Sequence, residues 1–292
     1  MVKGLSKQKI NATVRFMVLA IVGFFMMYPL LWLVGAIFKT NTEIFTSAAF
    51  WPKDIQNGWE SIVNGWKTNT PFNLGYYFMN SMKYLIPRTI FTVVSSILTA
   101  YVLTRRSFKF KKFVFVMVIG TLLMPDVIFR IPLYLFWRDL NLLDTHIPLW
   151  LDSAFATNSF FVFMLIQFMR TIPKELDEAA KMDGCNSFQT LVHILIPVMK
   201  PTIVTVALLT FMWGMNDFQG PLIYISSIDK YPLSIAMRLA IDNTDSAVQY
   251  RNIFAMSLMS IIPSIILFYC AQGYFIDGIA STGSKEWFIN HK

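Results

Sequence analysis

The chain has 292 residues, of which 55% are hydrophobic and only 14% charged, with mean hydropathy +0.52 and a formal net charge of +8. A soluble domain carries roughly a quarter charged residues, so this composition excludes a water-facing globule of this size and a second large soluble domain beside a membrane domain. The positive balance does not point to nucleic acid either, because the basic residues collect in short segments between apolar runs, as they do where a membrane sets topology.

Lys3, Lys7, Lys9 and Arg15 precede an apolar run over 16–38. At about 1.5 Å per residue it is long enough to cross about 30 Å of hydrocarbon. It exceeds a signal-peptide core, and Lys39-Thr40-Asn41-Thr42-Glu43 offers no small-residue cleavage site, so it reads as a retained first span. Further runs follow at 81–103, 113–136, 147–168, 201–226 and 252–275. The predicted fold class is all-α, a polytopic membrane protein with six transmembrane helices over 16–277, an N-terminal segment 1–15 and a tail 278–292. Pro29, Pro87, Pro125, Pro132 and Pro263 fall inside spans and predict kinks. Alternate connections hold fifteen and seven Lys and Arg residues, which predicts that both termini are cytoplasmic. The outer connections are long: 39–79 contains Trp51, Trp59, Trp66, Pro52 and Pro71, and 227–251 contains Asp229, Asp242 and Asp245.

The inner connection between spans four and five, residues 170–200, is longer than topology requires. It reads as two short helices and a turn. Pro173 suits a first helical position, and Glu175, Asp177 and Glu178 load the first turns with the negative charge a helix N-terminus favours. Gly184 permits a left-handed ending, and Asn186 or Ser187 can cap a second helix carrying Phe188, Leu191, Val192 and Leu195 at helical spacing. Pro197 and Pro201 are expected to close that helix before span five. Ala179 and Ala180 remove side-chain bulk beside the charges of Glu178 and Asp183. That surface can be a docking knob for a soluble partner or an ordinary amphipathic interfacial hairpin.

Glu178-Ala179-Ala180, then Gly184, then Ile194-Leu195-Ile196-Pro197 resembles the EAA loop of ABC importer permeases, with Ile196 where that family has Leu. The flanking Pro173-Lys174-Glu175-Leu176 and Asp183 resemble its carbohydrate branch, the maltose-type permeases. Asn80-Ser81, Arg105-Arg106, the run Trp213, Asn216-Asp217-Phe218, Pro221-Leu222 and the ending from Gly278 to Lys285 are similar as well, so the resemblance covers about residues 10–285. It implies a type I importer permease fold and a coupling helix seated in a cleft of an ATPase subunit. Glu178, Ala179, Ala180, Asp183 and Gly184 would form the coupling surface. The implied partners are a second homologous permease, two ATPase subunits that carry ATP and Mg, and an extracellular solute-binding protein that delivers a sugar or oligosaccharide. The chain itself would bind no cofactor and would have no catalytic residue.

Charges inside spans are costly and face an interior or cavity by default. Lys83, Arg88, Asp126, Arg130, Asp152 and Asp217 qualify. Lys83 and Asp152 lie near span ends and can reach headgroups. Asp126 and Arg130 stand i, i+4 and can pair, with Pro125 and Pro132 freeing backbone groups beside them. Asn216, Asp217 and Gln219, with Trp213 and Phe218, combine polar groups for hydroxyls with aromatic faces for sugar rings. Asp217 can line the path or brace a subunit interface. Arg88 and Arg130 together admit an acidic sugar. The substrate-path candidates are therefore Asp126, Arg130, Arg88, Trp213, Asn216 and Asp217.

Cys185 and Cys270, and the isolated His146, His193 and His291, form no metal or disulfide pattern. Gly278 to Lys285 has glycines spaced as in a phosphate loop, but Ser284-Lys285 is reversed and no helix pattern follows, so the chain should not bind ATP. Two other functions compete. A membrane-embedded glycan or lipid transferase would need a cluster of acids, histidines or a nucleophile at one membrane face, which the sequence lacks. An importer permease for a non-sugar solute stays open.

Overall fold

The computed structural model describes residues 2–283 except 48, 54, 56, 69 and 243–248, and within these the side chains of 13–273 except 57 and 242. The tail residues 284–292, with Ser284, Lys285 and His291, and Asp245 in the connection 227–251 lie outside the described residues. The described elements are all helical. In order they are α1 (Val2–Ala36), α2 (Asn41–Thr46), α3 (Asn57–Lys67), α4 (Leu74–Arg105), α5 (Lys111–Leu123), α6 (Val127–Asp139) and α7 (Ser159–Thr171). Then come α8 (Glu175–Met182), α9 (Ser187–Gln189), α10 (Ile196–Met215), α11 (Gln219–Tyr224), α12 (Leu233–Asp242) and α13 (Tyr250–Gly283). Short 3-10 turns occupy Ile147–Leu149, Leu151–Phe155 and Ile228–Lys230, and a π-helical stretch occupies Thr190–Leu195.

Five helical runs are long and apolar enough to cross a membrane: Thr13–Ala36, Leu74–Arg105, Leu151–Thr171, Ser187–Met215 and Tyr250–Gly273. A sixth is the pair α5 and α6, bent by 105°. Five of the six expected spans are therefore present as long apolar helices and the other passes only as this bent pair, with three corrections. The third run is broken at Met124-Pro125-Asp126, because Pro125 has no N–H to continue the helix and pushes Met124 into extended geometry (φ −80°, ψ 135°). Pro132, by contrast, lies within the uninterrupted α6. The fourth run starts as 3-10 turns, so Asp152 sits on a tight turn and α7 begins only at Ser159. The second arm of the 170–200 hairpin does not stop at Pro197 or Pro201 but runs on as one helix to Met215. The π-helical turn just before Pro197 widens the backbone spacing where the ring would otherwise meet a carbonyl, so the helix continues.

The chain divides into two compact units, one of residues up to 74 with 237–261 and one of 75–236 with the residues from 262 on. In the first, Trp32 meets Phe254 edge-on at 5.6 Å. Lys39 is buried, its Nζ donating to the Ala49 carbonyl at 2.5 Å and lying 5.8 Å from the Trp32 ring centre. Thr40 accepts from the Glu43 N–H and so starts α2.

The second unit is built around α7. Phe161, Val162, Leu165, Ile166 and Met169 recur at helical spacing and are buried with Ile97, Ala100 and Leu103 of α4 and Leu191, Leu195, Met199 and Val206 of the helix ending at Met215. α5 packs on α7, yet none of its own residues is buried. In water an apolar helix this exposed would be a liability; hydrocarbon solvates it.

Candidate coupling elbow and substrate path

α8 carries the coupling candidates. Lys174 precedes it and Pro173 stands one residue further out, so the proline leads into the helix without being part of it. Glu175, Asp177 and Glu178 fill the first turn, where negative charge offsets the unpaired N–H groups. The other end closes as expected at Gly184, whose φ of +83° lies in the left-handed region. There the Gly184 N–H donates to the Lys181 carbonyl at 3.1 Å and the Cys185 N–H to the Ala180 carbonyl at 2.9 Å, the paired bonds of a Schellman ending. A Cβ on Gly184 would meet nothing within 4 Å, so the requirement for glycine comes from backbone conformation alone. Asn186, not Ser187, caps the second arm: its Oδ1 accepts from Gln189 N–H at 2.9 Å while Gln189 Oε1 accepts from Asn186 N–H at 2.8 Å.

The two alanines do different jobs. Consecutive helical residues point about 100° apart, so Ala179 is exposed while Ala180 is buried against the rest of the hairpin. The outward surface consists of Leu176, Ala179 and Asp183 at i, i+3 and i+7, with Glu178 and Met182 beside them, Met182 being 89% exposed.

The elbow is fastened to the end of α4, which gives the Arg105-Arg106 pair its physical meaning. Arg105, only 6% exposed, donates through Nη2 to the Met169 and Ile172 carbonyls at 3.2 and 2.9 Å, at the unpaired end of α7. Its Nη1 lies 3.3 Å from Asp177 Oδ2 in α8. Arg106 donates to the Ser187 hydroxyl, and Tyr101 Oη to the Ser187 carbonyl at 3.2 Å. One span end therefore holds both arms of the hairpin.

The substrate-path candidates fall into separate places. Arg88 and Asp217 pair at 3.2 Å between α4 and the break after α10, a partnership 129 residues apart that the sequence does not announce. Asp217 also accepts from the Gly220 N–H at 3.0 Å, which helps start α11, and its carbonyl accepts from Ser234 Oγ at 2.9 Å. Tyr84 Oη donates to the Gly214 carbonyl at 3.0 Å, and a Cβ on Gly214 would come 2.3 Å from Leu85 Cδ2, so α4 and α10 approach closely beside this pair. Trp213 packs on Phe161 and Phe160, with centroids at 5.1 and 5.5 Å, and remains half exposed. The exposed Asn216 donates to the Met212 carbonyl at 2.8 Å. Asp126 is exposed at the α5–α6 break and Arg130 is half-buried. No ion pair joins them among the described residues, although Asp126 stands immediately before α6 with helical dihedrals.

Two fastenings outside the hairpin escape sequence reasoning. Asn80 Nδ2 donates to the Asp229 and Tyr231 carbonyls at 2.7 and 3.1 Å, and Ser81 Oγ accepts from the Leu233 N–H at 3.0 Å. Asp144, in left-handed geometry, gathers the 226–230 turn. Its Oδ1 accepts from the Ser226 and Ser227 N–H groups at 3.0 and 2.9 Å, and its Oδ2 from Ser227 Oγ at 2.6 Å and Lys230 Nζ at 2.9 Å. Partial burial pushes this carboxyl up, but the bonds from Ser227, Lys230 and Ser226 outweigh it and hold Asp144 well below the usual carboxylate range. The same contact raises Lys230. Lys83 donates to Asn80 Oδ1 at 2.8 Å, and His146, isolated in sequence, meets the Lys230 carbonyl at 2.8 Å. Among the described residues no three His, Cys, Asp or Glu side chains converge as metal ligands.

The fold defines a helical membrane domain with a fastened hairpin between two of its apolar helices, and kinship gives the class. Residues 92–280 match the family described as binding-protein-dependent transport system inner membrane component. The probable ABC transporter permease protein YurM of Bacillus subtilis (strain 168) is 33% identical over 262 residues, covering 88% of this chain and 83% of the relative. The arabinooligosaccharides transport system permease protein AraQ of Halalkalibacterium halodurans is 30% identical over 276 residues, covering 91% and 94%. The crystal structure of a bacterial ABC transporter involved in the import of the acidic polysaccharide alginate shares the fold at a TM-score of 0.75 and 22% identity, over 91% of this chain and 97% of that one. The chain belongs to the binding-protein-dependent transport system inner membrane component family, the membrane permeases of ABC importers. It is a transport subunit, not an enzyme.

Proposed function

We propose that this permease carries a sugar or oligosaccharide across the cytoplasmic membrane. It does so paired with a second homologous permease, driven by two ATPase subunits that hold ATP and Mg, and supplied by an extracellular solute-binding protein. The observation that carries the reading is the elbow: α8 offers Leu176, Glu178, Ala179, Met182 and Asp183 outward, while Arg105 ties its inner side to α4 and α7. A protein docked on that face can push on membrane helices without first straightening a flexible loop. Closure of the ATPase dimer then favours one arrangement of the spans over another by differential binding, which is alternating access. The basic residues on the elbow side argue that it and both termini are cytoplasmic. The sugar assignment is supported by the relative named for arabinooligosaccharide transport, which matches nearly end to end.

For the path, the half-exposed Trp213 offers a ring face, and Asn216 and Asp217 lie at the helix break, where backbone groups are left over for hydroxyls. Arg88 is engaged by Asp217, which makes it a poorer carboxylate receptor than its sequence position suggests; Arg130 and Asp126 belong to the bent pair. The test is ATP-driven uptake of labelled oligosaccharides by the assembled transporter in vesicles. Gly184→Pro, which cannot adopt positive φ, should abolish uptake while the subunits still co-purify. Trp213→Ala should raise the KM for sugar and leave ATP coupling in place. Normal uptake by an assembled Gly184→Pro complex would remove the coupling role. Uptake of amino acids or phosphate in place of every sugar tried would remove the substrate.

A further inference from the structure

A cavity of about 150 Å³ opens beside α8, between the end of α4, α8 and the start of the second arm, and of its lining only Glu178 belongs to the outward face. Its charged walls are Arg105, Arg106, Lys174 and Lys181 against Asp177 and Glu178. Asp177 Oδ2 faces Arg105 Nη1 at 3.3 Å as an ion pair, yet accepts no hydrogen bond. Among the described residues Arg106, Lys174 and Lys181 form no ion pair with a carboxylate, so three cations line the cavity with Glu178 as their remaining counter-charge there. A second, independent observation concerns Arg105. Two of its guanidinium nitrogens are committed to Asp177 and to the α7 carbonyls, yet its Nε, on a side chain only 6% exposed, has no hydrogen-bond partner. A buried charged donor without an acceptor is costly, and so is the paired Asp177 Oδ2 without a donor, so the missing group has to accept from the one and donate to the other.

From this we infer that the cavity binds a phosphate group, either inorganic phosphate or the monoester headgroup of an anionic lipid. A phosphate protonated once presents several acceptor oxygens to the guanidinium edge and the ammonium groups, and one O–H to Asp177 Oδ2. The volume holds such a group with a few waters, each needing about 30 Å³. Bound there, the anion bridges α4 to α8 and stiffens the link between a transmembrane span and the coupling helix. The inference stands on the cavity and not on docking of α8 to an ATPase, so binding is read separately from transport.

The experiment is hydrogen exchange on the nucleotide-free transporter purified with its partner subunits in neutral detergent, reading peptides from 100–106 and 174–190. It is titrated with inorganic phosphate, with dihexanoyl phosphatidic acid, and with dihexanoyl phosphatidylcholine as a zwitterionic control. Saturable slowing of exchange, severalfold, is expected in both segments with at least one of the first two. Response to phosphate identifies a soluble source; response to phosphatidic acid alone identifies a headgroup. Lys174→Gln and Lys181→Gln, both at exposed positions where folding is not at stake, should each shift the midpoint about tenfold or more, as loss of a charge-assisted hydrogen bond does. No slowing by either anion, equal slowing by phosphatidylcholine, or unchanged midpoints in both lysine variants would overturn the inference.

Discussion

Replacing Arg105 with alanine is the sharpest perturbation of the elbow. The guanidinium makes two hydrogen bonds to the end of α7 and an ion pair to Asp177, and the paired side chains are 6% and 16% exposed. Hydrogen bonds to a charged group contribute about 1.5–3 kcal/mol each, and removing one member of a buried pair costs about 3–5 kcal/mol because the other is left behind. Taking about 3–5 kcal/mol as the loss, and about 1.4 kcal/mol per decade, local opening of the hairpin should become at least about a hundredfold more frequent. Hydrogen exchange of amides 174–187 in the assembled transporter reads this directly. Arg105→Lys should fall between, since it keeps the charge but loses the fork that reaches two carbonyls and a carboxylate together. Exchange at the wild-type rate in Arg105→Ala would refute the claim that α4 holds the elbow.

Gly184→Ala should destabilise the end of α8 by about 1–2 kcal/mol, the penalty of a Cβ in left-handed geometry, with Gly184→Asn milder; thermal unfolding of the purified complex checks the order. Gly214→Ala should lower the unfolding temperature, because its Cβ would overlap the buried Leu85, and Leu85→Ala in the same chain should recover part of the loss. The Asp144 clasp should persist through mildly acidic pH. A carboxylate held low in the folded state contributes stability above its unfolded value and loses it only as pH falls through the depressed folded value. Lys230, raised, contributes below its own unfolded value and loses it as pH climbs through the folded one. Asp144→Asn should therefore speed amide exchange at 226–230 at neutral pH and flatten its acid dependence.

What can be read from the chain alone is local. Apolar length marks the spans, Gly184 marks the end of α8, and Asn186 marks the start of its successor, because composition, turn chemistry and capping act within a few residues. Proline misleads in both directions. Pro125 breaks its span outright, whereas Pro197 is carried through, since a π-helical turn upstream changes what the ring meets, and Pro201 lies inside the same continuing helix. Pairings over long separations are invisible: Arg88 with Asp217, Arg105 with Asp177, and Asp144 with the 226–230 turn depend on packing that no periodicity encodes. The same holds for Asn80 and Ser81, recognisable as a motif but explained only by the carbonyls of Asp229 and Tyr231 and the N–H of Leu233 that they hold. Of the candidate site, Glu178, Ala179 and Asp183 are legible as an outward face, whereas the exposed Leu176 and Met182 beside them and the inward turn of Ala180 follow from helical geometry that the motif does not carry.

The central claim is that α8 transmits the movement of a nucleotide-driven motor to the spans. A photo-crosslinking residue in place of the exposed Met182, in the complete transporter, tests it most directly. Illumination should join this chain to the ATPase subunit, with a yield that changes when ATP is added. Adducts to lipid alone, or a yield indifferent to the presence of the ATPase, would contradict the account.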